Sequence, residues 1–91
     1  MKPLKSSARE RKRYLLVRGE NLKTNIPKAI QEFIGVLGMS KTSLSFIKSD
    51  EDYAVICINR EMLDKVRASL CVWPEKMEVK KVSGTLAGLR R

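Results

Sequence analysis

Tyr53-Ala54-Val55-Ile56-Cys57-Ile58 is the longest uninterrupted apolar run in the chain, and it is rich in β-branched side chains. Such residues suit a pleated, packed surface, and the length is that of a strand. A strand without polar alternation is covered on both faces, so this one belongs in the middle of a sheet. Before it, Ser49-Asp50-Glu51-Asp52 is a polar turn, and Thr42–Lys48 reads as a strand with Leu44 and Phe46 on one face. After it, Asn59 is placed to cap a helix with the stripe Leu63, Val66, Leu70 and Trp73, which Pro74 ends. Upstream, Arg13–Arg18 holds a second continuous apolar run, Tyr14–Val17, stopped by Gly19. Between the two, Asn25 is a candidate N-cap and Pro27 falls in a first turn. Ile26, Ile30, Phe33, Ile34 and Leu37 recur at helical spacing until Gly38, the expected stop. Met77–Thr85 completes the set as a last strand, with Gly84 at a bulge or strand end.

The order is therefore βαββαβ, the split-βαβ arrangement of a two-layer α+β sandwich, ferredoxin-like and RRM-like. Right-handed crossovers give an antiparallel sheet of order 4-1-3-2 with two helices on one face. The two continuous apolar runs then fall on the two central strands. The other face is left without helices, which predicts a cover: a second protein, a self-contact, or terminal residues folded across it. One domain is expected over residues 1–91, with its core at about 13–85 and mobile ends at 1–8 and 86–91.

Charge is segregated. Residues 1–18 carry seven Lys/Arg against one Glu, and residues 76–91 carry five against one. The stretch between them is nearly balanced, with seven Lys/Arg and eight Asp/Glu, although the whole chain has net charge +9. Charge needed only for solubility has no reason to collect at the two ends. In the expected topology strand 4 lies antiparallel beside strand 1, so the start of one meets the end of the other. Arg9–Arg13 and Thr85–Arg91 thus become one basic patch, suited to a polyanion such as RNA.

Catalytic chemistry has little to work with. There is no histidine, and no Gly-x-Ser-x-Gly or P-loop motif. Cys57 and Cys71 lack Cys-x-x-Cys spacing and read as buried, reduced thiols. Asp50-Glu51-Asp52 reads as a solvated turn, not a cation site. A small-molecule enzyme on the same fold would need a pocket of convergent polar groups that the sequence does not display. Base stacking across the sheet face is disfavoured, because the central strands offer only Tyr14 and Tyr53. Backbone contacts fit better, and Val82-Ser83-Gly84-Thr85 sets two hydroxyls around a glycine next to the cations. No run is long enough to span a bilayer and no secretory leader is evident. Met1–Arg13 is basic with Ser6 and Ser7, as in a transit peptide, but it runs directly into a strand. A cytoplasmic protein without a membrane partner is the expectation.

Three segments, in order, resemble one family. Arg9-Glu10-Arg11-Lys12-Arg13-Tyr14-Leu15, then Val66-Arg67-Ala68-Ser69-Leu70, then Val82-Ser83-Gly84-Thr85 look like the small archaeal ribonuclease P protein component two, related to the Pop and Rpp subunits of eukaryotes. The likeness runs from about residue 3 to residue 86. It implies a protein subunit of ribonuclease P, the ribonucleoprotein endonuclease that removes the 5′ leader of precursor tRNA. RNA performs that hydrolysis with Mg2+, so the protein would bind no cofactor and hold no catalytic residue. The implied partners are the catalytic RNA, precursor tRNA and a TIM-barrel-type protein subunit (component three), with a possible homodimer inside a heterotetramer. The RNA-binding candidates are Arg9, Arg11, Lys12, Arg13, Ser83 and Thr85, extended by the basic terminus to Arg90 and Arg91. Arg67 also matches a family position, as an RNA contact or a structural ion pair. Little sequence follows the last strand, so the C-terminal helices of some relatives, and their contacts, are not expected here. The alternatives are the sister subunit or another small RNA-binding ribonucleoprotein module.

Overall fold

The computed structural model describes residues 12–89. Strands β1 (Lys12–Gly19), β2 (Ser45–Ser49), β3 (Tyr53–Asn59) and β4 (Met77–Ser83) form one antiparallel sheet in the order β2-β3-β1-β4. Read from the other edge this is 4-1-3-2, the expected α+β ferredoxin-like layout. Helices α1 (Leu22–Thr42) and α2 (Leu63–Val72) are joined to it by the predicted crossovers, and a 3-10 turn at Arg60–Met62 leads into α2.

The core lies between helices and sheet. Leu15 and Val17 of β1 and Ala54, Ile56 and Ile58 of β3 are fully buried against Ile26, Ile30 and Val66. Each large aliphatic side chain so covered contributes about 1.5–3 kcal/mol relative to exposure. The alternation along β1 then puts Tyr14, Leu16 and Arg18 on the opposite face, opposite Cys57, Val55 and Tyr53 of β3.

Three boundaries differ from the sequence reading: both ends of α1, and the start of β2, which lies at Ser45 and not Thr42 because α1 runs on to Thr42. Helix α1 begins at Leu22, and Asn25 sits inside it, buried, with its amide donating to the Glu20 carbonyl and the Glu75 carboxylate. Gly38 does not stop the helix. The backbone breaks at Gly35 (φ 93°, ψ 175°) and resumes to Thr42. Gly38 instead packs so closely on Ile34 that a Cβ there would stand 1.7 Å from its Cγ2. The break takes the apolar residues after it off the core side: Val36 is 72% and Leu37 77% exposed, while before it Phe33, at 52%, shares a cleft with Val72, at 61% on α2. The large exposed apolar surface is thus mostly on the helical layer, not on the open sheet face.

The open face is partly covered by the chain itself. Leu86–Leu89, expected to be mobile, form a third helical turn, α3. Leu89 is buried, and with Leu86 it borders a cleft shared with Leu16, Ile47, Tyr53 and Val55. Of the two cysteines, Cys57 is buried as expected and Cys71 is exposed on α2. Among the described residues, no helix is long and apolar enough to cross a membrane.

Candidate nucleic-acid interface

The start of β1 and the end of β4 meet. Tyr14 lies opposite Ser83, and Arg13 extends past it until its guanidinium rests against Gly84. A Cβ at Gly84 would stand 3.5 Å from Arg13 Nη1, an ordinary contact distance, so the guanidinium packs over the glycine without requiring it. Arg13 Nη1 donates to the Lys12 carbonyl at 2.8 Å. Lys12 Nζ donates across to Asn59 Oδ1 at 2.9 Å. Both cations are therefore anchored by neutral oxygens, and among the described residues neither forms an ion pair.

Ser83 and Thr85 are engaged in shaping this seam. Ser83 Oγ accepts from the Thr85 amide at 3.2 Å, and Thr85 Oγ1 accepts from the Gly88 amide at 3.0 Å. Gly88 is forced by the packing: a Cβ there would fall 2.2 Å from Ser83 Oγ. The hydroxyls thus tie α3 back onto the strand end, and among the described residues neither donates its own proton. Arg9, Arg11, Arg90 and Arg91 lie outside the described residues. Arg67 is exposed on α2, away from the seam, with no ion pair among the described residues.

Tyr14 and Tyr53 share the open face but at opposite ends of it. Tyr14 sits at the basic end beside Cys57, and the charge and hydrogen bonding of that thiol, with burial, hold its hydroxyl above the usual tyrosine range. Tyr53 sits at the other end with Lys48 Nζ 5.9 Å from its ring centre. Aliphatic residues and α3 occupy the space between them, so the face offers no continuous stacking platform.

Three residues at the basic end escaped the sequence reading. Asn59 makes no cap bond to the 3-10 turn. Its Nδ2 donates instead to the Lys41 carbonyl at 2.5 Å, while its Oδ1 holds Lys12. Lys41, in the last turn of α1, and Arg60, next to Asn59, are both exposed. The signal was available in the topology: in a βαββαβ sheet the end of α1 and the end of β3 stand at the same end as the start of β1.

The far end is acidic. The loop after β1, the β2–β3 turn and the loop before β4 bring together Glu20, Asp50, Glu51, Asp52 and Glu75, with Glu78 beside them on β4. Here one cation is paired, Arg18 Nη2 lying 3.4 Å from Asp52 Oδ2, while Lys23 and Lys76 form no ion pair among the described residues. Among the described residues, no cluster of three His, Cys, Asp or Glu side chains could hold a metal ion.

No family model and no curated protein sequence matches this chain. Among solved structures it is similar to a chain in the cryo-EM structure of yeast ribonuclease MRP. The two are 14% identical with a TM-score of 0.64, and the likeness covers 94% of this chain and 79% of that one. At that identity the likeness is one of fold.

Proposed function

We propose that this chain is a non-catalytic protein subunit of a ribonucleoprotein of the ribonuclease P/MRP type, binding the phosphate backbone of its RNA at the basic end of the sheet. The observation that carries this reading is the start of β1, where Arg13 lies over Gly84 on the β4 side and Lys12 is held by Asn59 on the β3 side, neither in an ion pair among the described residues. A fixed, uncompensated cation is costly in self-repulsion unless a polyanion occupies it. Arg9 and Arg11 precede this seam in the chain, and Arg90 and Arg91 follow it. Ser83 and Thr85 would add hydroxyl donors. The sequence resemblance to component two, and the shared fold with a chain of yeast ribonuclease MRP, support the choice of RNA.

In this reading the RNA cleaves the 5′ leader of precursor tRNA with its own Mg2+, and the protein positions and neutralises it. A TIM-barrel-type subunit is the proposed protein partner. The exposed surface of Phe33, Val36, Leu37 and Val72, not the sheet face, is the apolar area left for it. The sister subunit of the same fold is the alternative.

The test is a salt series with a ribonuclease P RNA transcript, followed by reconstitution with the partner subunit and a precursor tRNA cleavage assay at low magnesium. Four to six phosphate contacts predict a slope of log affinity on log salt of about −3 to −5. A flat response, or no gain in cleavage, would sink the proposal.

A further inference from the structure

We infer that the RNA-binding surface does not end at the β1–β4 seam but continues across the sheet end onto Lys41 and Arg60, with Asn59 as the residue that positions this second half. The inference rests on the RNA reading above and extends it to residues that neither the sequence pattern nor the family resemblance marks.

Asn59 is the hub. It closes β3, so its backbone leads directly into Arg60. Its Oδ1 takes the Lys12 ammonium at 2.9 Å, and its Nδ2 holds the Lys41 carbonyl at 2.5 Å. One neutral side chain therefore ties together the beginning of β1, the end of β3 and the end of α1. A carboxylate here would also accept from Lys12, but it would cancel a charge and could not donate to the Lys41 carbonyl. An amide does both and leaves the cations uncompensated. Among the described residues, Lys41 and Arg60 form no ion pair, unlike Arg18 and Lys80, which face Asp52 and Glu78 at 3.4 Å each.

The extent fits a polymer more than a small anion. From the end of β4 through β1 to the end of β3 is two strand spacings, about 10 Å. Gly84 with Arg13 stands at one side and Asn59 with Arg60 at the other. A surface of that width engages more than one phosphate of a backbone. It carries no aromatic platform beyond Tyr14, so it reads position and shape, not bases.

The probe is a fluorescent RNA hairpin of about 20 base pairs, titrated across a salt series. Lys41→Gln with Arg60→Gln is compared with Lys28→Gln with Lys76→Gln, which removes the same charge from the helical layer and the acidic end. The first pair is expected to weaken binding at least 10-fold at 0.1 M salt and to flatten the slope by about 2, one per lost phosphate contact. The second pair is expected to leave the slope unchanged. Asn59→Ala is expected to weaken binding severalfold with a nearly wild-type slope, because it misplaces charges and removes none. If the Lys41/Arg60 variant behaves like the Lys28/Lys76 control while Arg13→Gln still weakens binding, the surface stops at the seam and this inference fails alone. If the wild-type chain shows no salt-dependent binding, the RNA reading itself falls. Circular dichroism melts of each variant separate a lost contact from a lost fold.

Discussion

The two ends of the sheet handle their charges in opposite ways. At the end where β1 stops, carboxylates from three connecting segments gather, and Arg18 is matched by Asp52 at 3.4 Å. At the end where β1 starts, Lys12 is matched by an amide oxygen and Arg13 by a peptide carbonyl. Each arrangement immobilises a cation, but only the first neutralises it. A neutral acceptor keeps the full positive charge while removing side-chain freedom, so less entropy remains to be lost when an anion arrives. The lesson is that charge counts alone do not identify a binding surface. The acceptor that holds each cation separates a surface that is satisfied from one that is waiting.

The largest expected effect breaks this comparison directly. Lys12→Glu with Arg13→Glu turns the basic end into a second acidic end. Binding of the ribonuclease P transcript should fall by about 100-fold or more at 0.1 M salt, with the slope reduced by about 2. Reversal at the other end, Glu51→Lys with Asp52→Lys, should tighten binding only slightly. Equal and opposite effects from the two double variants would mean that net charge, not the built surface, governs affinity.

A smaller effect tests how the basic end is built. Arg13 lies over Gly84 just past the end of β4, and the chain there is tied by the Ser83 and Thr85 hydrogen bonds, with Gly88 packed against Ser83. In Gly88→Ala the new methyl meets Ser83 Oγ at 2.2 Å, so the hydroxyl must rotate away and its bond from the Thr85 amide is lost. The cost is that of a lost cap, about 1 kcal/mol in a urea melt. RNA affinity should drop with it, while the acidic end is unaffected. Unchanged stability would show that α3 is not held by these hydroxyls.

Much of this was legible in the chain. The continuous runs Tyr14–Val17 and Tyr53–Ile58 placed the two central strands, and Trp73-Pro74 ended α2 as the steric rule for a residue before proline requires: Trp73 is extended, at ψ 138°. What failed were positions where a local signal has two physical outcomes. Asn59 precedes a helical segment and looks like a cap, but tertiary partners on β1 and α1 compete for its side chain and win. Leu37 continues a helical stripe, but the break at Gly35, three residues earlier than the expected stop, turns it into solvent. Leu86 and Leu89 sit in a basic tail and carried no periodic signal, because one helical turn is too short to show one. On the site, the seam was foreseeable from topology, and Arg13, Ser83 and Thr85 are found on it, with Lys12 beside it toward β3. Lys41 and Arg60 were not seen because each stands among ordinary helix and turn residues, and only the three-dimensional hub relates them.

The smallest effect sharpens the comparison most, since it asks what the pairing at the acidic end is for. Arg18 and Asp52 are both solvent-exposed, and exposed pairs of this kind typically couple by under about 1 kcal/mol. A double-mutant cycle with Arg18→Gln and Asp52→Asn should give a coupling of about 0.5 kcal/mol or less, decreasing as salt rises. Such a value means that the pair hardly stabilises the fold and that its physical consequence is neutralisation of Arg18. Asp52→Asn alone should then leave both melting behaviour and the RNA salt slope close to wild type, because the freed Arg18 stands at the far end of β1 from the seam. A coupling well above 1 kcal/mol would make the pair structural. The contrast between the two ends would then reflect how each loop is braced and not which of them is reserved for an anion.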